Sequence, residues 1–93
     1  MVMVPKRVEV LVVGHVQGIF FRQTAKEQAE KLNLTGWARN EADGSVHIVA
    51  EGEKEDLQKL IDWAKVGTKW SQVERVDVEW EEATREFKDF KIL

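Results

Sequence analysis

Six glycines, at positions 14, 18, 36, 44, 52 and 67, cut this 93-residue chain into segments of one-element length, and no other feature constrains its fold as much. A residue without Cβ turns where others cannot, so each glycine is a natural punctuation point. Between them the hydrophobic period changes. Val8-Glu9-Val10-Leu11-Val12-Val13 is β-branched and nearly all apolar, the pattern of a central strand covered on at least one face. From Arg22 to Leu32, Ala25, Ala29 and Leu32 recur at spacings of four and three. Lys26, Glu27, Glu30 and Lys31 fill the other side, which predicts an amphipathic helix. Trp37-Ala38-Arg39-Asn40 and Ser45-Val46-His47-Ile48-Val49-Ala50 flank Ala42-Asp43-Gly44, and an Asp-Gly pair between strand-like runs predicts a hairpin. Leu57, Leu60, Ile61 and Ala64 predict a second helix, with Gly67 capping its end. Val76, Val78 and Trp80 share one face of a following strand, with Asp77 and Glu79 on the other. Phe87 to Ile92 can add a short strand or pack as an edge.

The order is βαββαβ. It predicts an α+β, ferredoxin-like sandwich: an antiparallel sheet with two helices on one face, and a possible short extra C-terminal strand. Such a fold hosts many activities, so function must come from a site. At 43% hydrophobic and 33% charged residues, the chain is expected to form one domain over residues 1–93 with a single core. No apolar run approaches the ~18 residues of a membrane span. Met1-Val2-Met3-Val4-Pro5-Lys6-Arg7 carries its charge after a short apolar stretch, the reverse of a secretory signal. The absence of cysteine excludes disulfides, a thiol nucleophile and a Cys-based zinc site. A cytoplasmic location is therefore expected. A net charge of −3 argues against a nucleic-acid footprint. Val46 to Ala50 also lacks the stacking aromatics of a single-stranded RNA platform.

Chemistry concentrates at two places. Gly14-His15-Val16-Gln17-Gly18-Ile19-Phe20-Phe21-Arg22 joins the first strand to the first helix. Successive N–H groups beside a helix N-terminus can cradle an anion, and Arg22 adds a fork of donors suited to phosphate. The loop is neither a Walker A nor a dinucleotide fingerprint. On spacing alone it fits equally a tight strand-to-helix connection with a helix-start Arg. Asn40, at the end of the second strand, fits an ordinary turn residue. Its amide could equally accept from and donate to one water.

Gly14 to Arg22, then Leu34-Thr35-Gly36-Trp37-Ala38-Arg39-Asn40 and Asp43-Gly44-Ser45-Val46, resemble the acylphosphatase signature, and the likeness runs from about Lys6 to Leu93. The resemblance implies a small single-domain, cytoplasmic and monomeric hydrolase. It would cleave the carboxyl-phosphate bond of small acyl phosphates without metal or cofactor. Acetyl phosphate, carbamoyl phosphate and 1,3-bisphosphoglycerate form the implied substrate class. It further implies that Arg22 binds the phosphoryl group and Asn40 orients the attacking water. The backbone of His15, Val16, Gln17, Gly18, Ile19 and Phe20 would hold phosphate or a similar anion. By the same resemblance, the terminal carboxylate of Leu93 lies near Arg22. Two features depart from the family pattern: His15 stands where Arg or Lys is frequent, and Gly67-Thr68-Lys69-Trp70 where a Gly-Pro pair is common. A non-catalytic anion-binding module is the alternative, although simple binding would not require a water-positioning amide.

The remaining polar residues read as structural. His15 is expected to be solvated or loop-bonded, and His47 to face the outer side of the sheet. The four tryptophans are expected to be core or half-buried packing groups. Glu51, Glu53, Lys54, Glu55 and Asp56 form a mixed charge run around the second helix start. Arg39 should point to the opposite face from Asn40.

Overall fold

The computed structural model describes residues 4–93. In chain order it contains β1 (Lys6–His15), α1 (Phe21–Lys31), β2 (Thr35–Asn40), β3 (Val46–Gly52), α2 (Lys54–Val66), β4 (Gln72–Glu82) and β5 (Phe90–Ile92). The sheet order is β4-β1-β3-β2-β5. The apolar run starting at Val8 explains the centre: Val8, Val10 and Val12 are buried under the helices, beside Val46, Ile48 and Ala50 of β3. Because α1 carries the chain from β1 over to β2, β3 fits antiparallel between them.

Both helices lie on this face. Phe21, Ala25 and Ala29 of α1 join Leu57, Leu60, Ile61 and Ala64 of α2 in one core. Burying each large aliphatic chain contributes about 1.5–3 kcal/mol, which anchors the helices to the sheet. Helix α1 ends in a reversal at Asn33, φ 57°, where the N–H of Leu34 donates to Ala29 O and that of Asn33 to Glu30 O. This is the left-handed termination that Asn tolerates better than most residues. Helix α2 ends at Gly67 as its position in the sequence predicts.

Four strands pair antiparallel, but β5 joins β2 in parallel at the sheet edge, so the sheet is mixed. The long return from β4 brings the chain round to β2 in that direction. Gly36, expected to punctuate, instead lies inside β2. At φ 143° a Cβ there would overlap the carbonyl oxygen of Val49, so the two strands approach closely only because the residue is glycine.

Two further expectations are corrected. Trp37 and Trp63 are half-buried, but Trp70 and Trp80 are exposed, at 57% and 41%. Trp80 keeps the face shared with Val78, yet it stands opposite Val8 at the end of an edge strand, where a neighbour covers only one side. Glu51 does not belong to the charge run at the start of α2. It is 4% exposed in β3 and accepts from Arg7 Nη1 at 3.0 Å, Thr84 N–H at 2.9 Å, Thr84 Oγ1 at 2.8 Å and Arg85 N–H at 2.8 Å. Burial alone would raise its pKa, but the hydrogen bonds from Thr84, Arg85 and Arg7 outweigh it and hold the carboxyl below its ordinary value.

A lowered folded-state pKa stabilises the fold fully above the unfolded value near 4.5, and that contribution is lost as pH falls through the folded value. Glu51→Gln should therefore cost about 2 kcal/mol at pH 7, since bonds to a charged acceptor are worth ~1.5–3 kcal/mol each and water replaces part of them. Thermal melts read this as a Tm lower by about 10 °C at neutral pH. The wild type should lose more Tm than the variant between pH 5 and pH 3; equal losses would show that Glu51 is not the acid-sensitive staple.

Candidate active site

Strand β1 continues to His15, so Gly14 and His15 belong to the strand, with a register slip between Val13 and Gly14. The connecting loop is thus Val16 to Phe20. Val16 anchors it in the core, and Ile19 packs against the core from outside. The Gln17 side chain turns the other way, its Nε2 donating to Glu41 O at 2.7 Å and Ser45 O at 2.9 Å, which ties the loop to the neck of the β2–β3 hairpin. Between these anchors the backbone takes left-handed conformations at Gly18, φ 74°, and at Phe20, φ 61°. Gly18 meets that demand without strain, whereas a bulky residue such as Phe20 does so at some cost.

The consequence is a run of unpaired donors. None of the main-chain N–H groups from Val16 to Phe20 donates to another main-chain or side-chain group among the described residues. Helix α1 makes its first bond from Thr24 N–H to Phe20 O at 2.9 Å, so the amides of its opening turn are also free among the described residues. Phe20 caps without a side-chain bond, and the first turn holds no acidic residue. The positive end of the helix is left uncompensated next to the loop amides, the combination that attracts anions.

Arg22 projects from this turn. Its Nη1 donates to the main-chain oxygen of Leu93 at 3.0 Å, and no Asp or Glu among the described residues forms an ion pair with it. Leu93 is held by its own N–H on Ala38 O at 2.9 Å, two residues from Asn40. The parallel β5 edge therefore links the helix carrying Arg22 to the strand carrying Asn40. Asn40 ends β2 opposite Val46, half-buried, and its Oδ1 is buried without a hydrogen-bond partner among the described residues. A buried acceptor left alone is costly, so packing by itself does not account for Asn40 here.

That cleft, about 300 Å³, is lined by Val16, Gly18, Phe20, Phe21, Arg22, Gln23, Asn40 and Ile92. Arg22, Asn40 and three of the loop residues expected from the sequence thus come together. His15, Gln17 and Ile19 do not line it; His15 is exposed at the strand end. The Gln17 clamp had no readable sequence signal, because its partners lie more than 20 residues away, whereas Leu93 stands beside Arg22 as the family likeness implies. A larger depression, about 430 Å³, is lined by Lys6, Lys54, Trp80, Glu81 and Glu82, but its charges are exposed and Lys6 already pairs with Glu82 at 3.3 Å.

The other face of the sheet carries a separate charge network. Arg39 lies over Trp37 at 4.7 Å and pairs with Glu41 at 2.9 Å, while His47 contacts Glu9 at 3.1 Å and Glu41 at 3.3 Å. Both Arg39 and His47 fall on the side expected from strand alternation. Interaction between the Glu9 and Glu81 carboxyls holds the pKa of Glu9 below its ordinary value and that of Glu81 above it, away from the cleft.

The chain is similar to known proteins along nearly its whole length. An acylphosphatase from Pyrobaculum aerophilum is 47% identical over 88 residues, covering 94% of this chain and 93% of that protein. The structure of an acylphosphatase from Coxiella burnetii superposes with a TM-score of 0.90 at 36% identity, covering 97% of this chain and 94% of the other. That of an acylphosphatase from Bacillus subtilis gives 0.91 at 33% identity, over 95% and 98% of the two chains. The Acylphosphatase family model matches residues 8–92, from the first core valine to the last strand, and with these relatives it establishes that the chain belongs to the acylphosphatase family, hydrolases of acyl phosphates.

Proposed function

We propose that this chain hydrolyses small acyl phosphates as a metal-independent, monomeric cytoplasmic domain, with Arg22 and the 15–20 loop amides binding the phosphoryl group and Asn40 orienting the water. The observation that carries the reading is that Asn40, its buried Oδ1 without a partner among the described residues, lines one cleft with Arg22 beside an unpaired run of amides. In this mechanism the loop N–H groups and Arg22 donate to the phosphoryl oxygens and gain as charge builds there. The bond from Arg22 to Leu93 fixes the guanidinium while its other N–H groups remain for the anion.

Asn40 accepts one O–H of the attacking water through Oδ1 and donates to the water oxygen through Nδ2. A P–O bond to water forms as the P–O bond to the acyl oxygen breaks. The departing carboxylate has a conjugate acid of pKa around 4, so it leaves without a general acid. The water proton passes to an oxygen of the substrate's own phosphate. Glu41 supplies no base in this scheme, since its carboxylate is held by Arg39 and His47 on the outer face.

The test is hydrolysis of acetyl phosphate in EDTA, with inorganic phosphate as competitive inhibitor. Turnover should persist in EDTA, and His15→Ala and Glu41→Gln should each stay within about threefold of wild type, far from the ~10²–10³-fold loss of a group acting on the transition state. Collapse in either variant would refute substrate-assisted proton transfer. Phosphate binding without turnover would favour the anion-binding module.

A further inference from the structure

The segment Gly67 to Trp70, where the sequence departs from the family pattern, meets the phosphate loop at the mouth of the cleft. Phe20 is 71% exposed and lines that cleft, and Trp70, 57% exposed, has its ring centroid 6.3 Å from that of Phe20 at a 58° tilt. Two features hold the pair in position. Phe20 is locked in its left-handed conformation at the start of α1. The Trp70 loop is tight: Gly67 N–H donates to Trp63 O at 2.7 Å, and Ser71 N–H and Oγ both donate to Thr68 O, at 3.1 and 2.8 Å. The base of this loop also packs on Phe21, since a Cβ on Gly67 would lie 3.0 Å from its ring. Lys69 Nζ sits 4.7 Å from the Trp70 ring centroid and further restrains the indole.

Two large aromatic rings held in water beside a cleft, one on a strained backbone, are not explained by the core, which neither ring joins. They are too few for a protein partner, because a specific interface needs about 800 Å² on each side and one aromatic side chain offers ~150–250 Å². Their area and continuity with the cleft suit the group attached to the phosphate.

We infer that Phe20 and Trp70 form an acyl-group subsite that favours acyl phosphates with a flat apolar or aromatic acyl group over acetyl phosphate; this rests on the proposed hydrolysis of acyl phosphates. The phosphoryl end enters the loop, and the acyl end packs across the aromatic pair.

The test compares kcat/KM for benzoyl phosphate and acetyl phosphate in wild type, Trp70→Ala and Trp70→Phe, with melting temperatures measured alongside. Intrinsic reactivity differences between the substrates are common to all three proteins and cancel in the comparison. Trp70→Ala should lower the benzoyl-to-acetyl ratio by about tenfold, mainly through a higher KM for benzoyl phosphate, the size of effect a modest apolar contact gives. Acetyl phosphate turnover should stay within about twofold, and Trp70→Phe should restore most of the ratio. An unchanged ratio, or a parallel fall for both substrates, overturns the subsite while leaving the hydrolase reading in place. Failure of the wild type to turn over either substrate overturns both.

Discussion

Arg22→Ala is expected to lower kcat/KM for acetyl phosphate by about 10³-fold or more in a protein that still folds. Removing the guanidinium takes away the one cationic side chain that lines the cleft among the described residues and leaves main-chain dipoles facing the anion. The fold should tolerate the change, because the side chain is half-exposed and its bond to Leu93 is a single contact at the sheet edge. A loss of one such bond costs about 0.5–1.5 kcal/mol, well within the margin of a small domain. Inorganic phosphate should bind more weakly to the variant. Arg22→Lys should recover only part of the activity, since a point charge on a flexible stem lacks the planar fork that can hold Leu93 and a phosphoryl oxygen together. Steady-state kinetics with phosphate inhibition checks both variants. Turnover within tenfold of wild type in folded Arg22→Ala would remove Arg22 from the mechanism.

For Asn40→Ala the expected loss is about 10²–10³-fold, falling on kcat and leaving KM and phosphate inhibition nearly unchanged. This division separates the two residues: one binds an anion present in ground and transition states alike, whereas the other holds a nucleophile whose placement matters only for the reaction. Stability should not fall and should rise slightly, because the substitution removes a buried acceptor that has no partner among the described residues. Asn40→Asp supplies the control. It keeps the shape but turns the donor into a charge beside the substrate anion, so it should be at least as inactive as the alanine variant. Asn40→Ala with normal kcat would mean that the amide is an ordinary strand-end group.

The strands and helices were legible because each carries its own period. Val8, Val10 and Val12 alternate toward the helices, and Leu57, Leu60, Ile61 and Ala64 line one helical stripe, so burial and backbone geometry agree residue by residue. Glu51 shows where such reading stops. In the chain it adjoins Glu53, Lys54 and Glu55, and its neighbours suggest solvent, but it lies on β3 under the return loop that supplies Thr84 and Arg85. Trp70 and Trp80 show the same limit from the other side, for the size and apolarity of tryptophan predict burial only if the fold provides something to cover it.

The sequence by itself determined the order of elements, the faces of their side chains, and the loop, Arg and Asn that carry the family likeness, since these depend on local spacing and residue chemistry. Tertiary structure alone decided which of these groups meet. Asn40 and Arg22 share a cleft because α1 crosses from β1 to β2 and β5 returns beside β2, bringing Leu93 onto Ala38 and Arg22. The loop stands against the hairpin because the Gln17 amide reaches two carbonyls across it. Such contacts join residues up to 71 positions apart, and the closure of so long a loop leaves no mark on local periodicity.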